Sequence, residues 1–249
     1  MKTSTSDIRE DLVSAGPPDC TADRVAGFVP TSMLDWPGVV CTTIFVTGCT
    51  LRCPYCHNPE LLTGDAPPHM WQSALSHIAI RRGWIDGVVI SGGEPTIDPG
   101  LPRLLEDLAT RGLPVKLDTN GTRPDVLGRV LADGLVEYVA LDVKTFPERY
   151  DLLGLPGAAE MVAESIDIVR DSGVRHEFRT TVFPPIITSD ELPRLASPLT
   201  GGDAYVLQQF RPARTLDPDA ASVTPVPPEA LTRAASECSR YLPTTTRGV

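Results

Sequence analysis

Six times along this chain a short apolar, β-rich run gives way to a segment built for a helix. The runs are residues 39–46, 87–91, 115–118, 138–144, 176–182 and 205–210. Near-continuous hydrophobicity of this kind marks strands covered on both faces. Between them, apolar residues recur at helical spacing, as in Trp71, Ala74, Leu75 and Ile78 or Leu101, Leu104, Leu105 and Leu108. Further helices are expected over 124–134, 161–170, 190–196 and 229–240. Strand–helix alternation implies parallel strands joined by right-handed crossovers. A doubly wound sheet would satisfy the same rhythm. The polar residues favour the other solution, because they fall at the carboxyl ends of successive strands, where (β/α) barrels build their sites. Six units are too few to close a barrel. The expected fold is therefore α/β, a partial (β/α)6 barrel with an open side.

With 249 residues, 41% of them hydrophobic, the chain can bury one substantial core. Residues 1–26 are polar and aperiodic and read as a flexible tail. Residues 27–249 read as one domain, with a core over 39–210 and a helix after 228. The turn-rich stretch 27–38 is expected to lie over one end of the core. A formal charge of −10 with no basic stripe excludes a nucleic-acid grip. No apolar run reaches the length of a membrane span, and the first residues lack the order of a signal peptide. A cytoplasmic protein with reduced cysteines is expected.

Three of the six cysteines, Cys49, Cys53 and Cys56, fall within eight residues in the spacing Cys-x3-Cys-x2-Cys, in the loop that follows the first strand. Thiolates gathered in one loop select zinc or an iron–sulfur cluster. A structural zinc site needs four ligands, usually as two pairs, and no second pair exists. Zinc completed by His57 or Cys41, or a metal-free loop, remain alternatives. A four-iron cluster held by three cysteines would keep one iron open for substrate. Cys20, Cys41 and Cys238 read as incidental small residues.

Other strand ends carry polar groups. Gly92, Gly93 and Glu94 end the second, where glycines would admit a ligand to the backbone and the carboxylate could bind an ammonium group. Asp118, Thr119 and Asn120 end the third, and Asp142 and Lys144 the fourth. Carboxylates inside runs as apolar as YVALDVK are costly to bury unless paired or bound to a cation. Asp142 and Lys144, two apart on a strand, share one face. An internal Asp–Lys pair or an Asx turn at Asp118 would explain the same residues without a ligand.

The ordered set SMLDWPG, GCTLRCPYCHNPEL, SGGEPT, KLDTNGTRP, GLVEYVALDVK, EFRTTV and YVLQQF resembles the glycyl-radical-enzyme activating branch of the radical S-adenosylmethionine (SAM) enzymes. Within that branch it most resembles the activating proteins of anaerobic ribonucleoside-triphosphate reductase. The resemblance implies that Cys49, Cys53 and Cys56 ligate a [4Fe–4S] cluster whose fourth iron is chelated by SAM. It implies that Tyr55, with the backbone of Cys56 and His57, borders the adenine. Gly92, Gly93 and Glu94 would meet the methionine amino group, and Asp142 and Lys144 the carboxylate and ribose side. Asp118, Thr119 and Asp142 match positions that hold a monovalent cation in a relative, and Asn120 lies beside them. The implied partners are a glycyl-radical enzyme, the large subunit of the reductase, and a reductant such as flavodoxin or ferredoxin. The chain departs from the pyruvate formate-lyase activator at the sixth strand, where it reads Gln208, Gln209, Phe210 and Arg211 in place of a histidine. It also lacks an inserted ferredoxin-like cysteine cluster.

Overall fold

Each of the six expected strands forms, and all lie side by side in the order in which they occur along the chain. A computed structural model describes residues 24–63 and 66–249. The greater part of the expected tail, and Cys20, lie outside the described residues. The elements are β1 (Val25–Ser32), β2 (Cys41–Val46), α1 (Met70–Ile80), β3 (Gly87–Gly92), α2 (Leu101–Thr110), β4 (Val115–Thr119) and α3 (Pro124–Ala132). They continue with β5 (Tyr138–Asp142), α4 (Ala158–Asp171), β6 (Arg175–Val182), α5 (Leu192–Ala196), β7 (Tyr205–Gln209), α6 (Pro228–Cys238) and β8 (Thr244–Arg247). Strands β2 to β8 are parallel, and β1 runs antiparallel to β2. The eight-stranded sheet does not close on itself.

Two edges correct the expectation of six strands. Residues 25–32 contain Gly27 and Pro30 and read as turn, yet they pair from Val25 opposite Val46 to Ser32 opposite Cys41, with two register shifts. An edge strand tolerates proline because one row of its backbone groups needs no partner in the sheet. The opposite edge, β8, follows α6 and pairs with β7 through a four-residue strand.

The rest of the turn-rich stretch does lie over one end. Trp36 is buried against Cys41, Val89 and Tyr138 at the amino-terminal end of the barrel. It packs so closely on Gly87 that a Cβ there would stand 2.7 Å from the indole.

Strand residues alternate between two environments. One set, including Ile44, Ile90, Leu117, Leu141 and Leu207, meets the helices through Leu105, Leu127 and Leu231 in the main apolar core. Burying each such leucine contributes about 1.5–3 kcal/mol. The other set faces the barrel interior and is polar: Thr43, Ser91, Lys116, Asp118, Asp142, Glu177 and Arg179 bond to one another or to Asp35. A second apolar cluster at the carboxyl rim joins Leu51, Cys53 and Tyr55 to Tyr150, Leu153, Phe183 and Phe210. It fixes the cysteine loop over the barrel mouth.

Candidate functional site

All three cysteines of the triplet line a single cavity of about 610 Å³ at the carboxyl rim. Their loop is tied down at several points. The Arg52 amide donates to the Leu153 carbonyl at 2.7 Å, and the Asp217 amide to the Pro54 carbonyl at 2.9 Å. The Arg52 guanidinium covers the carbonyls of Cys49 and Leu51. His57 Nε2 donates to the Arg211 carbonyl at 3.0 Å. Burial pushes the Cys49 thiol up and the Cys53 thiol up to about 11. Thiols in this state bind a metal by exchanging a proton for it. Cys41, the alternative fourth ligand, sits at the far end of the barrel with Trp36. Tyr55 Oη is buried with no hydrogen-bond partner among the described residues, and it lines the same cavity. Three cysteines lining the cavity, beside an orphaned hydroxyl and a row of charged side chains, supply the donor types that hold an iron–sulfur cluster with a polar ligand next to it.

Gly92 and Gly93 line the cavity, but their missing side chains serve the backbone. A Cβ on Gly92 would fall 2.4 Å from the Val46 amide nitrogen, and one on Gly93 would fall 1.9 Å from the Gly48 carbonyl oxygen. In that tight approach the Gly93 and Glu94 amides donate to Val46 and Gly48 at 2.9 and 2.8 Å. The end of β3 is thereby sewn to the cysteine loop.

Glu94 does not face the cavity, contrary to expectation. Its side chain is fully buried, and its carboxylate accepts from the Thr96 amide (3.1 Å), the Thr96 hydroxyl (2.5 Å), the Thr119 hydroxyl (2.7 Å) and the Asn120 amide (2.6 Å). With three donors on Oε1 and the Asn120 amide on Oε2, this carboxylate locks β3 to β4 and is turned away from the cavity. Burial pushes its pKa up, and the hydrogen bonds offset only part of that rise.

Asp118, Asp142 and Lys144 do line the cavity, joined by a residue that sequence reasoning missed. Arg179 of β6 bridges the two carboxylates, Nε to Asp142 at 2.8 Å and a terminal nitrogen to Asp118 at 3.1 Å. Lys144 pairs with Asp142 at 2.8 Å, and the buried Lys116 with Asp118. Ser91 donates to Asp118 as well. Burial raises both carboxyls, but Arg179 and the lysines outweigh it and hold Asp118 and Asp142 below the usual range. The Asp142 carboxylate holds the Lys144 ammonium proton more firmly than usual against the opposing effect of burial, and Arg179 fixes that carboxylate in place. With Glu177 and its partner Arg247 counted, four cations stand against three carboxylates, a net positive charge suited to an anionic group. Thr119, expected beside a bound cation, turns its hydroxyl to Glu94. The one signal for Arg179 was the alternation in HEFRTTV, which puts Glu177, Arg179 and Thr181 on one face.

The sequence profile described as the Radical SAM superfamily matches residues 43–197, more than half of the chain. An unclosed, mostly parallel α/β sheet with a cysteine triplet at its carboxyl rim defines the same class, and the chain belongs to the radical SAM superfamily, a family of enzymes. A protein of Methanocaldococcus jannaschii, provisionally named a glycyl-radical enzyme activating enzyme, is 31% identical over 211 residues, covering 82% of this chain and 87% of the relative. A Haemophilus influenzae protein with the same provisional name is 39% identical over 163 residues, 61% of this chain and 62% of that protein. Streptococcus suis SuiB, also solved bound to S-adenosylmethionine, shares the fold with a TM-score of 0.60 at 16% identity. That likeness covers 81% of this chain and 47% of SuiB. Among the described residues no helix is long and apolar enough to cross a membrane.

Proposed function

We propose that this protein is a radical SAM activase that removes an α-hydrogen from a glycine of a partner glycyl-radical enzyme, the large subunit of an anaerobic ribonucleoside-triphosphate reductase. The observation that carries the proposal is the cavity itself. It gathers Cys49, Cys53 and Cys56 with Asp142, Lys144 and Arg179, and its lining reaches both unpaired edges of the sheet, through Leu34 and Asp35 after β1 and Arg247 in β8. A peptide loop from a second protein can enter along that side. The provisional names of the M. jannaschii and H. influenzae relatives support the same reading.

In this proposal Cys49, Cys53 and Cys56 would hold a [4Fe–4S] cluster, and the charged wall would serve SAM. When bound, the reduced cluster supplies the electron that splits the SAM sulfonium and yields the hydrogen-abstracting 5′-deoxyadenosyl group. The protein's own part is to bind and orient. Lys144 and Arg179 receive the methionine carboxylate, Tyr55 and the backbone of Cys56 and His57 border the adenine, and the Gly92–Gly93 backbone meets the amino group. A monovalent cation at Asp118, Thr119 and Asp142 would require Arg179 to withdraw from the two carboxylates. A hydrogen atom, not a proton, is transferred, so the proposed chemistry calls on no side-chain base. We place the enzyme in the cytoplasm, with flavodoxin or ferredoxin as reductant.

The test is anaerobic. Reconstituted protein, SAM, reductant and the reductase subunit are mixed, and electron paramagnetic resonance (EPR) is recorded. A glycyl doublet that appears with this subunit and requires Cys53 supports the proposal. SAM cleavage without any radical on the reductase, in the presence of a small-molecule product, would overturn the activase reading.

A further inference from the structure

Asn120 directly follows β4, where the chain meets the cysteine loop, and it is 5% exposed. Its side chain is held by a closed ring of hydrogen bonds. Nδ2 donates to Thr50 Oγ1 at 3.1 Å, the Thr50 and Thr122 hydroxyls meet at 2.7 Å, and the Thr122 hydroxyl donates to Asn120 Oδ1 at 2.7 Å. The Thr122 hydroxyl proton is spent on Oδ1, so the Thr50 hydroxyl is the donor between the two threonines. The Thr122 amide also donates to Oδ1 at 3.0 Å. A backbone N–H can only donate, which settles the orientation of the Asn120 amide. One Nδ2 proton therefore remains, and the nearest acceptor given to it is Cys49 Sγ at 3.6 Å.

We propose that Asn120 is a positioning residue for the cluster: its side-chain amide donates an N–H···S hydrogen bond to the Cys49 thiolate and raises the reduction potential of the bound iron–sulfur centre. The inference rests on the reading of Cys49 as a cluster ligand. Reduction adds negative charge that spreads onto the ligand sulfurs, and a donor aimed at sulfur stabilises the reduced form more than the oxidised one. The ring makes the donor rigid, so its stabilising effect needs no reorganisation on electron arrival. With Oδ1 and both Nδ2 protons engaged inside the protein, the Asn120 side chain has no polar group left for the nucleotide. This replaces the expectation that it contacts SAM.

The experiment compares reconstituted wild type, Asn120→Ala, Asn120→Asp and Thr50→Val by EPR-monitored redox titration without SAM. The expected midpoint is more negative in Asn120→Ala and more negative still in Asn120→Asp, where a carboxylate faces the sulfur. Thr50→Val opens the ring but keeps the donor, so it should move the midpoint least. SAM affinity of Asn120→Ala should stay within about twofold of wild type, a change worth less than about 0.5 kcal/mol. A midpoint equal to wild type in Asn120→Ala with full iron content overturns the proposal, and so does weakened SAM binding at unchanged potential. A second measurement needs no Asn120 variant. The chain has two asparagines, Asn58 and Asn120, and 15N-asparagine labelling in an Asn58→Ala background should show nitrogen hyperfine coupling to the reduced cluster. Its absence overturns the proposal. Failure of wild type to assemble a cluster at all would instead defeat the ligand assignment of the cysteines.

Discussion

Two carboxylates two strands apart in this barrel have been put to opposite uses. Glu94, after β3, is sealed in a shell of neutral donors from Thr96, Thr119 and Asn120, and its pKa is pushed up. Asp142, ending β5, lies on the cavity wall between Arg179 and Lys144, and its pKa is pushed down. Both sit at the rim where sites are built, and both are rich in hydrogen bonds. What separates them is the charge of their partners. Neutral donors satisfy a carboxylate and leave nothing over, so Glu94 serves as a fastener between strands. Cationic partners overcompensate and leave a field in the cavity, so Asp142 serves as a holder for groups that meet the ligand.

Removing the shared cation should have the largest effect. Arg179→Ala leaves Asp118 and Asp142 facing each other across a buried gap, and a loss of roughly 3–5 kcal/mol in unfolding free energy is expected. Urea denaturation measures it, and a loss under about 1 kcal/mol would mean that the lysines alone balance the carboxylates. Glu94→Ala strands four buried donor groups at about 1–3 kcal/mol each, not fully additive. A loss near 3 kcal/mol is expected, and a folded variant of unchanged stability with weakened SAM binding would reverse the assignment of Glu94. Lys144→Ala should act on binding: about tenfold weaker SAM affinity, or about 1.4 kcal/mol, with iron content intact. Equal affinity in that variant would remove Lys144 from the ligand wall.

The smallest effect is a difference in pH dependence. Asp142 has a folded pKa below its unfolded value of about 3.9, so its stabilisation is complete above that pH and is lost as pH falls through the folded value. The stability gap between wild type and Asp142→Asn should therefore narrow below about pH 4. Glu94, raised above its ordinary value of about 4.3, favours the fold more when protonated. The gap between wild type and Glu94→Ala should widen as pH falls through that raised value, and the widening should be complete by about pH 4.3. Denaturation series at pH 7 and in mild acid compare the two, and gaps that move in the same direction would erase the distinction.

Much of this was legible in the sequence, for physical reasons that differ by residue. The parallel strands announce themselves because burial on both faces demands continuous hydrophobicity, and Asp142 with Lys144 stands out because charge inside such a run needs an explanation. Strand β1 was hidden by Gly27 and Pro30, residues that an edge tolerates and that local chemistry assigns to turns. Strand β8, only TTTR, is too short to carry a pattern. The orientation of Glu94 was unreadable because Gly-Gly-Glu fixes where the backbone goes, while Thr119 and Asn120, some 25 residues on, decide where the carboxylate turns. Arg179 was unreadable alone for a similar reason: its meaning comes from two acidic partners on two other strands.

The indole of Trp36 has a consequence for traffic. It corks the amino-terminal end of the barrel, so a molecule in the cavity has the lateral gap as its doorway in both directions. A large guest seated in that doorway becomes a stopper behind which small fragments wait. In the proposed activase, cleavage fragments would leave only after the docked loop withdraws.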